Sequence, residues 1–351
     1  MASPHTVVDD LMTFFWRSPP ETVAERTRRR VTLHLIPFLF FLYILAYLDR
    51  VNVSVAAFGM KEVVEGGGLG LSDKIIGFGA GIFFWGYWIL EIPSTVSVVR
   101  LGARWVFARV LILWGFCAAL AGLVGTPFAN QVFDWLPHWP GNGPIAVFVN
   151  GLRDTPKFQF YFLRFMLGFF EGGFFPSVIV YLSLWFRPAD RAKAVAGFMA
   201  AIPISSMIGM PISGALLGVK WFGFPGWRWI FIVEGVAPVL AGIATLFFLP
   251  DRPSVAKWLP PEEREWLAQE LAAEEAAKRG HGHWEWVPHL GLVLLLTVVY
   301  FGQNVVSYGI SIFMPKIIQS QTGLTQQNSS YLCAPAYALA LLAMLFNGRL
   351  S

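Results

Sequence analysis

Eight long apolar runs divide the 351-residue chain, and they restrict its folding more than any other feature. They lie at Val31–Ala57, Ile75–Val99, Trp105–Gly125, Phe158–Phe186, Ala192–Gly218, Trp229–Leu249, Val287–Met314 and Ser329–Phe346. Crossing a bilayer core takes about 20 mostly apolar helical residues. Backbone in lipid must satisfy its own hydrogen bonds, so runs of this length become helices, and Pro and Gly are tolerated inside them. The expected fold class is all-α, a polytopic membrane protein. Charged residues make up 14% of the chain, against about 25% in soluble domains. That pattern excludes a disordered chain, a coiled coil and a disulfide scaffold. The net charge of +4 is dispersed over many loops, which excludes a nucleic-acid binder. Cys117 and Cys333 both sit inside apolar runs, so neither a disulfide framework nor a metal site is expected. The runs hold no nucleophile–base pair or metal-ligand cluster at helical spacing, so no enzyme and no cofactor are expected.

The basic residues set the orientation. With the N-terminus inside, most of the 26 lysines and arginines fall on the inner side. They include Arg26 to Arg30, then Arg100, Arg104 and Arg109, then Arg187, Arg191 and Lys193, then Arg252 to Arg279. A cytoplasmic N-terminus in the cell (inner) membrane follows. The first run is too long for a signal peptide and lacks a small-residue cleavage site, so it reads as a retained helix. Before it, Val7 to Arg30 is expected to form a short surface helix. The outer stretch Thr126–Pro156, rich in Pro, Gly and Trp, reads as a long loop. The inner stretch Asp251–Trp286 contains Pro260-Pro261-Glu262-Glu263-Arg264, a helix start with acids in the first turn. An Ala/Glu/Lys-rich helical stretch follows. His281 and His283, further along, read as solvated.

A faint repeat organises the chain. Phe58-Gly59-Met60-Lys61 and Gly70-Leu71-Ser72-Asp73 follow the first run. Phe313-Met314-Pro315-Lys316 and Gly323-Leu324-Thr325-Gln326 follow the seventh. The seventh run therefore restarts the pattern of the first, and the unit is six helices. Parallel six-helix repeats of this kind build one large transporter architecture. The expected divisions are a cytoplasmic segment 1–30, a six-helix bundle 31–250, a cytoplasmic linker 251–286 and an incomplete second bundle 287–351. The spacing from Leu71 to Gly102 in the basic loop carries Leu324 past Ser351, so four helices of the second unit are expected to be missing.

Charges inside the runs are the candidates for function. A charge at mid-membrane costs about 2.5–3.5 kcal/mol on insertion scales and usually faces a cavity or a partner. Arg164 and Glu171 are two turns apart on one face of the fourth run. Asp49 and Asn52 share a face of the first run, and Tyr43, Tyr47 and Arg50 line up along another. A guanidinium fork holds a carboxylate through two parallel hydrogen bonds and keeps its proton. A buried acid can load and release a proton near neutral pH. A fixed cation beside a titratable acid is what proton-coupled uptake of an organic anion needs; the competing reading is that these charges only pair to lock helices. Glu91 and Glu234, nearer run ends, read as structural. Asn304 and Tyr308, one turn apart in the seventh run, can line the cavity from the second unit, whereas Gln303 faces elsewhere. Ser205 and Ser206 can meet a hydroxylated substrate or the preceding turn. Gly168, Gly172 and Gly173 read as positions of close helix approach, and the Phe and Trp residues as mostly lipid-facing bulk.

These residues resemble a known family. Tyr47-Leu48-Asp49-Arg50-Val51-Asn52 resembles the first-helix signature of the anion:cation symporter family, within the major facilitator superfamily. Arg164 to Pro176, reading RFMLGFFEGGFFP, is similar to its fourth-helix motif. Trp185-Phe186-Arg187 with Arg191-Ala192, Gly226-Trp227-Arg228-Trp229 with Glu234, and Leu249-Pro250-Asp251-Arg252-Pro253 also match. The resemblance implies a major facilitator type helical bundle that carries organic anions, such as sugar acids or aromatic carboxylates, usually with protons. It implies that Arg50 and Arg164 bind the anion and that Asp49 and Glu171 couple the proton. In Val98-Val99-Arg100-Leu101-Gly102-Ala103-Arg104, Val99 stands where the superfamily usually has an acid.

The expected function is proton-coupled import of an organic anion by alternating access. Arg50, Arg164, Tyr47, Asn52, Asn304 and Tyr308 are the expected substrate contacts, and Asp49 and Glu171 the proton-coupling acids. The expected partners are a small organic anion, a proton and the lipid bilayer, with the chain a monomer. An exporter or uncoupled facilitator, and a non-transporting membrane protein or sensor, are the alternatives the sequence leaves open.

Overall fold

The computed structural model describes residues 22–134, 136–278 and 290–350, and among them every regular element is a helix. The helices are α1 (Val23–Met60), α2 (Asp73–Leu101), α3 (Ala103–Ala121), α4 (Pro127–Asp134), α5 (Pro144–Asp154), α6 (Pro156–Glu171) and α7 (Phe174–Ser183). They continue as α8 (Pro188–Met199), α9 (Ala201–Leu217), α10 (Gly226–Phe248), α11 (Pro261–Lys278), α12 (Leu290–Thr322), α13 (Gln326–Tyr331) and α14 (Cys333–Leu350). Local chemistry sets many of the starts. Thr22 and Ser72 accept hydrogen bonds from the Glu25 and Ile75 amides and cap α1 and α2. Five helices begin with a proline, whose missing N–H costs nothing in the first turn.

Seven stretches are long and apolar enough to cross a membrane, with α6–α7 and α8–α9 each forming one. They coincide with the first seven apolar runs. The eighth run is helical too, as α13 and α14 with a break at Leu332. Two expectations change. Arg28 to Arg30 belong to the continuous helix α1 rather than to a separate surface helix; the remainder of that expected helix lies outside the described residues. Thr126–Pro156 is not an irregular loop but carries α4 and α5. Its prolines Pro127 and Pro144 start helices instead of breaking them. Gln159, fully buried, ties this pair to the bundle: its side chain donates to Asn130 Oδ1 at 2.9 Å and to the Leu152 carbonyl, and accepts the Gly125 N–H.

Within the bundle α3 packs along α10, α2 along α6, and α1 against both α9 and α10. The tryptophans divide. Trp85 and Trp88 face outward, as lipid-facing bulk does, but Trp114, Trp185 and Trp227 are fully buried and fill the core. On the expected inner side, α11 lies across the start of α1 and the α7–α8 turn. Arg30 meets Glu263 at 3.0 Å, Arg26 meets Glu262 at 3.4 Å, Arg187 meets Glu270 at 3.5 Å, and Arg191 meets Glu274 at 2.9 Å. Surface pairs such as Arg26–Glu262 contribute about 0–1 kcal/mol each, and the buried Leu259 and Leu267 beneath them add apolar burial to the docking. His281 and His283 lie outside the described residues.

The basic loop between α2 and α3 finds its acid elsewhere in the chain. Gly102 turns with φ 92°, and Asp251, just beyond α10, accepts the Arg104 N–H at 2.9 Å. A Cβ on Gly102 would sit 2.6 Å from that carboxylate, so the close approach needs glycine.

Candidate functional site

The site begins with a break in the fourth spanning stretch. α6 ends at Glu171 and α7 starts at Phe174; between them Gly173 adopts φ 82°, a left-handed conformation that glycine takes without strain. The glycines also bring α6 onto α2. A Cβ on Gly168 would lie 1.9 Å from the Phe83 carbonyl oxygen, and one on Gly172 would lie 2.4 Å from that of Tyr87. These distances bear out their reading as positions of close approach. The consequence is that Glu171 and Arg164 project from a helix held tightly against α2, beside the middle of α1.

Four charged residues converge there. Arg50 binds Glu171 through one carboxylate oxygen: Nε donates to Oε1 at 2.7 Å, and Nη2 lies 2.6 Å from the same atom. The other oxygen, Oε2, is buried without a hydrogen-bond partner. Arg50 Nη1 donates to the Tyr308 hydroxyl at 3.0 Å, which connects α1 to α12. The Phe83 and Tyr87 rings flank this guanidinium with centroids 5.8 and 5.1 Å away. Arg164 is buried more deeply than Arg50. Its Nη1 donates to the backbone carbonyl of Asp49 at 3.1 Å, Phe83 stacks 5.2 Å away, and its Nε has no partner. The Asp49 carboxylate accepts the Trp114 indole N–H at 2.9 Å and the Asn52 amide at 3.2 Å.

The sequence-predicted residues thus separate into two groups. Arg50, Arg164, Glu171, Asp49 and Tyr308 form one constellation, with Tyr47 stacked on Tyr308 at 6.5 Å between centroids. Asn52 is engaged behind it with Asp49. The Asn304 amide donates to the carbonyl of Tyr300 on its own helix at 2.8 Å, and among the described residues it has no hydrogen bond to the charged cluster. Ser205 donates to the Ile44 carbonyl at 2.9 Å, so its hydroxyl serves helix packing. Glu91 belongs to no ion pair among the described residues. Sequence reasoning passed over Trp114, Phe83 and Tyr87, which look like bulk apolar residues in a lipid-facing run. It also placed Glu234 near a helix end. In fact Glu234 lies well inside α10, 5% exposed, and accepts the Ser213 hydroxyl at 2.6 Å. A proton donor on the facing helix is the signal that would have found it, and pairing between helices is not readable along one strand of sequence.

This arrangement can do two things. The two guanidiniums, of which Arg164 keeps a buried Nε without a partner, can hold a carboxylate group. The acids beside them can take protons whose charge the guanidiniums feel.

Known proteins agree with this picture. The Major Facilitator Superfamily profile matches residues 39–351. A protein of Agrobacterium vitis named "Putative tartrate transporter" is 39% identical over 329 residues, covering 93% of this chain and 68% of its own length. The "Putative metabolite transport protein NicT" of Pseudomonas putida is 35% identical, covering 92% of this chain and 66% of its own. The chain therefore spans about two thirds of the length of these relatives. Among solved structures, a bacterial homologue of the human lysosomal transporter Spinster, inward-facing and unoccupied, superposes with a TM-score of 0.63. It shares 17% identity and matches 95% of this chain and 63% of that one, which is a likeness of fold alone. These transporter names accord with the resemblance to anion:cation symporters read from the first and fourth runs. With seven stretches able to cross a bilayer, charges gathered among them and a profile that matches nearly its whole length, the chain is a multi-pass membrane protein belonging to the major facilitator superfamily.

Proposed function

We propose that this chain is the proton-coupled, anion-binding part of an importer of small organic anions, sugar acids or other carboxylates, with a cytoplasmic N-terminus in the inner membrane. One observation carries the reading: Arg50 is held by Glu171 through a single oxygen, beside the Phe83 and Tyr87 rings and the Tyr308 hydroxyl. A substrate carboxylate and Glu171 compete for the same guanidinium. A proton on Glu171 removes its charge and frees the fork, so proton binding favours anion binding. By linkage, the anion favours the proton equally. Arg164, buried one helix away, offers a second cation for the same anion. Tyr47 and Tyr308 supply the aromatic and hydroxyl wall, and Asp49 is the second proton-coupling acid. The relatives named as tartrate transporters support a hydroxylated dicarboxylate as the first compound to try.

The test is binding of tartrate to the purified chain in lipid vesicles, with Arg50→Ala and Arg164→Ala beside the parent. The expected result is loss of binding in both variants and tighter binding by the parent at mildly acidic pH. Equal affinity in parent and variants would leave the charges as helix locks, in which case the variants lose thermal stability alone.

A further inference from the structure

Behind the charged cluster lies a third buried carboxyl, which the coupling scheme above does not use. Glu234 on α10 and Asp49 on α1 meet across the side chain of Asn52. The Asn52 amide donates to Asp49 Oδ1 at 3.2 Å; Trp227 packs on Gly59 and Phe248 on Phe38, so α10 runs antiparallel along α1 and brings Glu234 opposite Asn52. The donors are divided unequally. Asp49 receives the Trp114 N–H as well as the Asn52 amide, and Arg164 binds its backbone carbonyl. Glu234 receives one hydrogen bond, from Ser213 on α9, while its Oε2 and the Asn52 Oδ1 are both buried with no partner. Among the described residues neither acid forms an ion pair with a lysine or arginine. From its own helix, Arg228 is turned away toward the carbonyls of Gly122 and Val124. From α3, the polar group facing this corner is the Trp114 indole, which Asp49 takes.

Two like charges in one dry corner, bridged by a single amide, do not both persist; such a pair keeps one proton between them and titrates as a unit. We propose that Glu234 holds this proton in the state described here, with Asp49 charged, so that Glu234 is a third proton-holding residue coupled through Asn52 to the anion site. A protonated Glu234 carries a donor where two buried oxygens have none, and among the described residues no lysine or arginine pairs with its charged form. The transport consequence rests on the proton-coupled reading above; the protonation itself does not.

The experiment is infrared spectroscopy of the full chain in lipid vesicles, titrated from acidic to alkaline pH. The expected result is the carbonyl stretch of a neutral carboxylic acid at neutral pH, lost in Glu234→Gln and retained in Glu171→Gln. Glu234→Gln keeps the acceptor for Ser213 and is expected to unfold at the parent's temperature. Ser213→Ala, which leaves the carboxyl in place, is expected to shift the frequency of the band. Asp49→Asn is expected to lower the midpoint at which the band disappears by a unit of pH or more, since the neighbouring charge is gone. A parent without the band at neutral pH, a band that survives Glu234→Gln, or a midpoint unmoved by Asp49→Asn each overturns the proposal. If the band behaves as expected while tartrate fails to bind at any pH, the transport reading falls and the shared proton stands.

Discussion

At the scale of single residues, the proposed coupling of proton and anion rests on Glu171. It is fully buried, it binds Arg50 through one oxygen, and its other oxygen has no partner. A carboxylate so placed is costly unless the guanidinium stays beside it. Glu171→Gln removes the charge while keeping the shape. The expected outcome is anion binding at least as tight as the parent's, with most of its pH dependence gone, read from tartrate affinity measured across pH. Retained pH dependence would exclude Glu171 from the proton role. The Arg50–Glu171 and Arg164–Asp49 contacts also show how incomplete the reading by spacing was. Helical spacing put Arg164 and Glu171 on one face, as observed. It could not say that Arg50 would take Glu171, or that Arg164 would take the Asp49 backbone, because those choices are made between helices.

At the scale of elements, the fourth spanning stretch is the one on which the site depends. It bends at Gly172–Gly173, and Gly168 lets α6 lie directly on the α2 backbone. Close approach of this kind is how membrane helices gain packing energy without a hydrophobic driving force. Gly168→Val is expected to separate α2 from α6, because a Cβ there starts 1.9 Å from a carbonyl oxygen. The loss expected is about 2–4 kcal/mol, in the range of core overpacking or more, together with lost anion binding as Arg164 moves. A thermal unfolding curve in detergent checks the first, and unchanged stability would refute the close packing. The elements also hold the sequence's chief misreading. Pro, Gly and Trp between 126 and 156 suggest a loop by composition, yet two prolines there are helix starts and Gln159 anchors the segment through three hydrogen bonds.

At the scale of the whole molecule, the two ends of the bundle are fastened differently. On the side of the α1 N-terminus, α11 is docked through acidic residues onto arginines of α1 and of the α7–α8 turn. On the opposite side, Asp73 at the start of α2 binds both Lys61 after α1 and Lys316 in α12. Those two lysines occupy matching places in the repeat read from the sequence, and the clasp joins α1, α2 and α12 at the end of the bundle away from the α1 N-terminus. Removing it is expected to loosen α12 from α1 and α2. In a Tyr308→Cys background, where Cys117 and Cys333 are buried, Asp73→Asn is expected to raise labelling by a membrane-impermeant maleimide several-fold from the outer side. No change in labelling rate would mean that the clasp does not restrain this end.

The sequence by itself determined the solvent and therefore the fold class. Apolar runs of spanning length admit only helices in lipid, basic residues give them an expected direction, and short motifs around Asp49, Arg50, Arg164 and Glu171 point to the family. Those properties are local, because each run must satisfy its own backbone and each charge carries its cost wherever it sits. Only the tertiary structure decided which charges meet. Asp251 reaches the basic loop from beyond α10, Trp114 turns inward to Asp49, Asn304 turns back to its own helix, and Glu234 takes the Ser213 hydroxyl from α9. The partner of a buried polar group is chosen by which helices pack together, and that choice is a property of the bundle rather than of any one run.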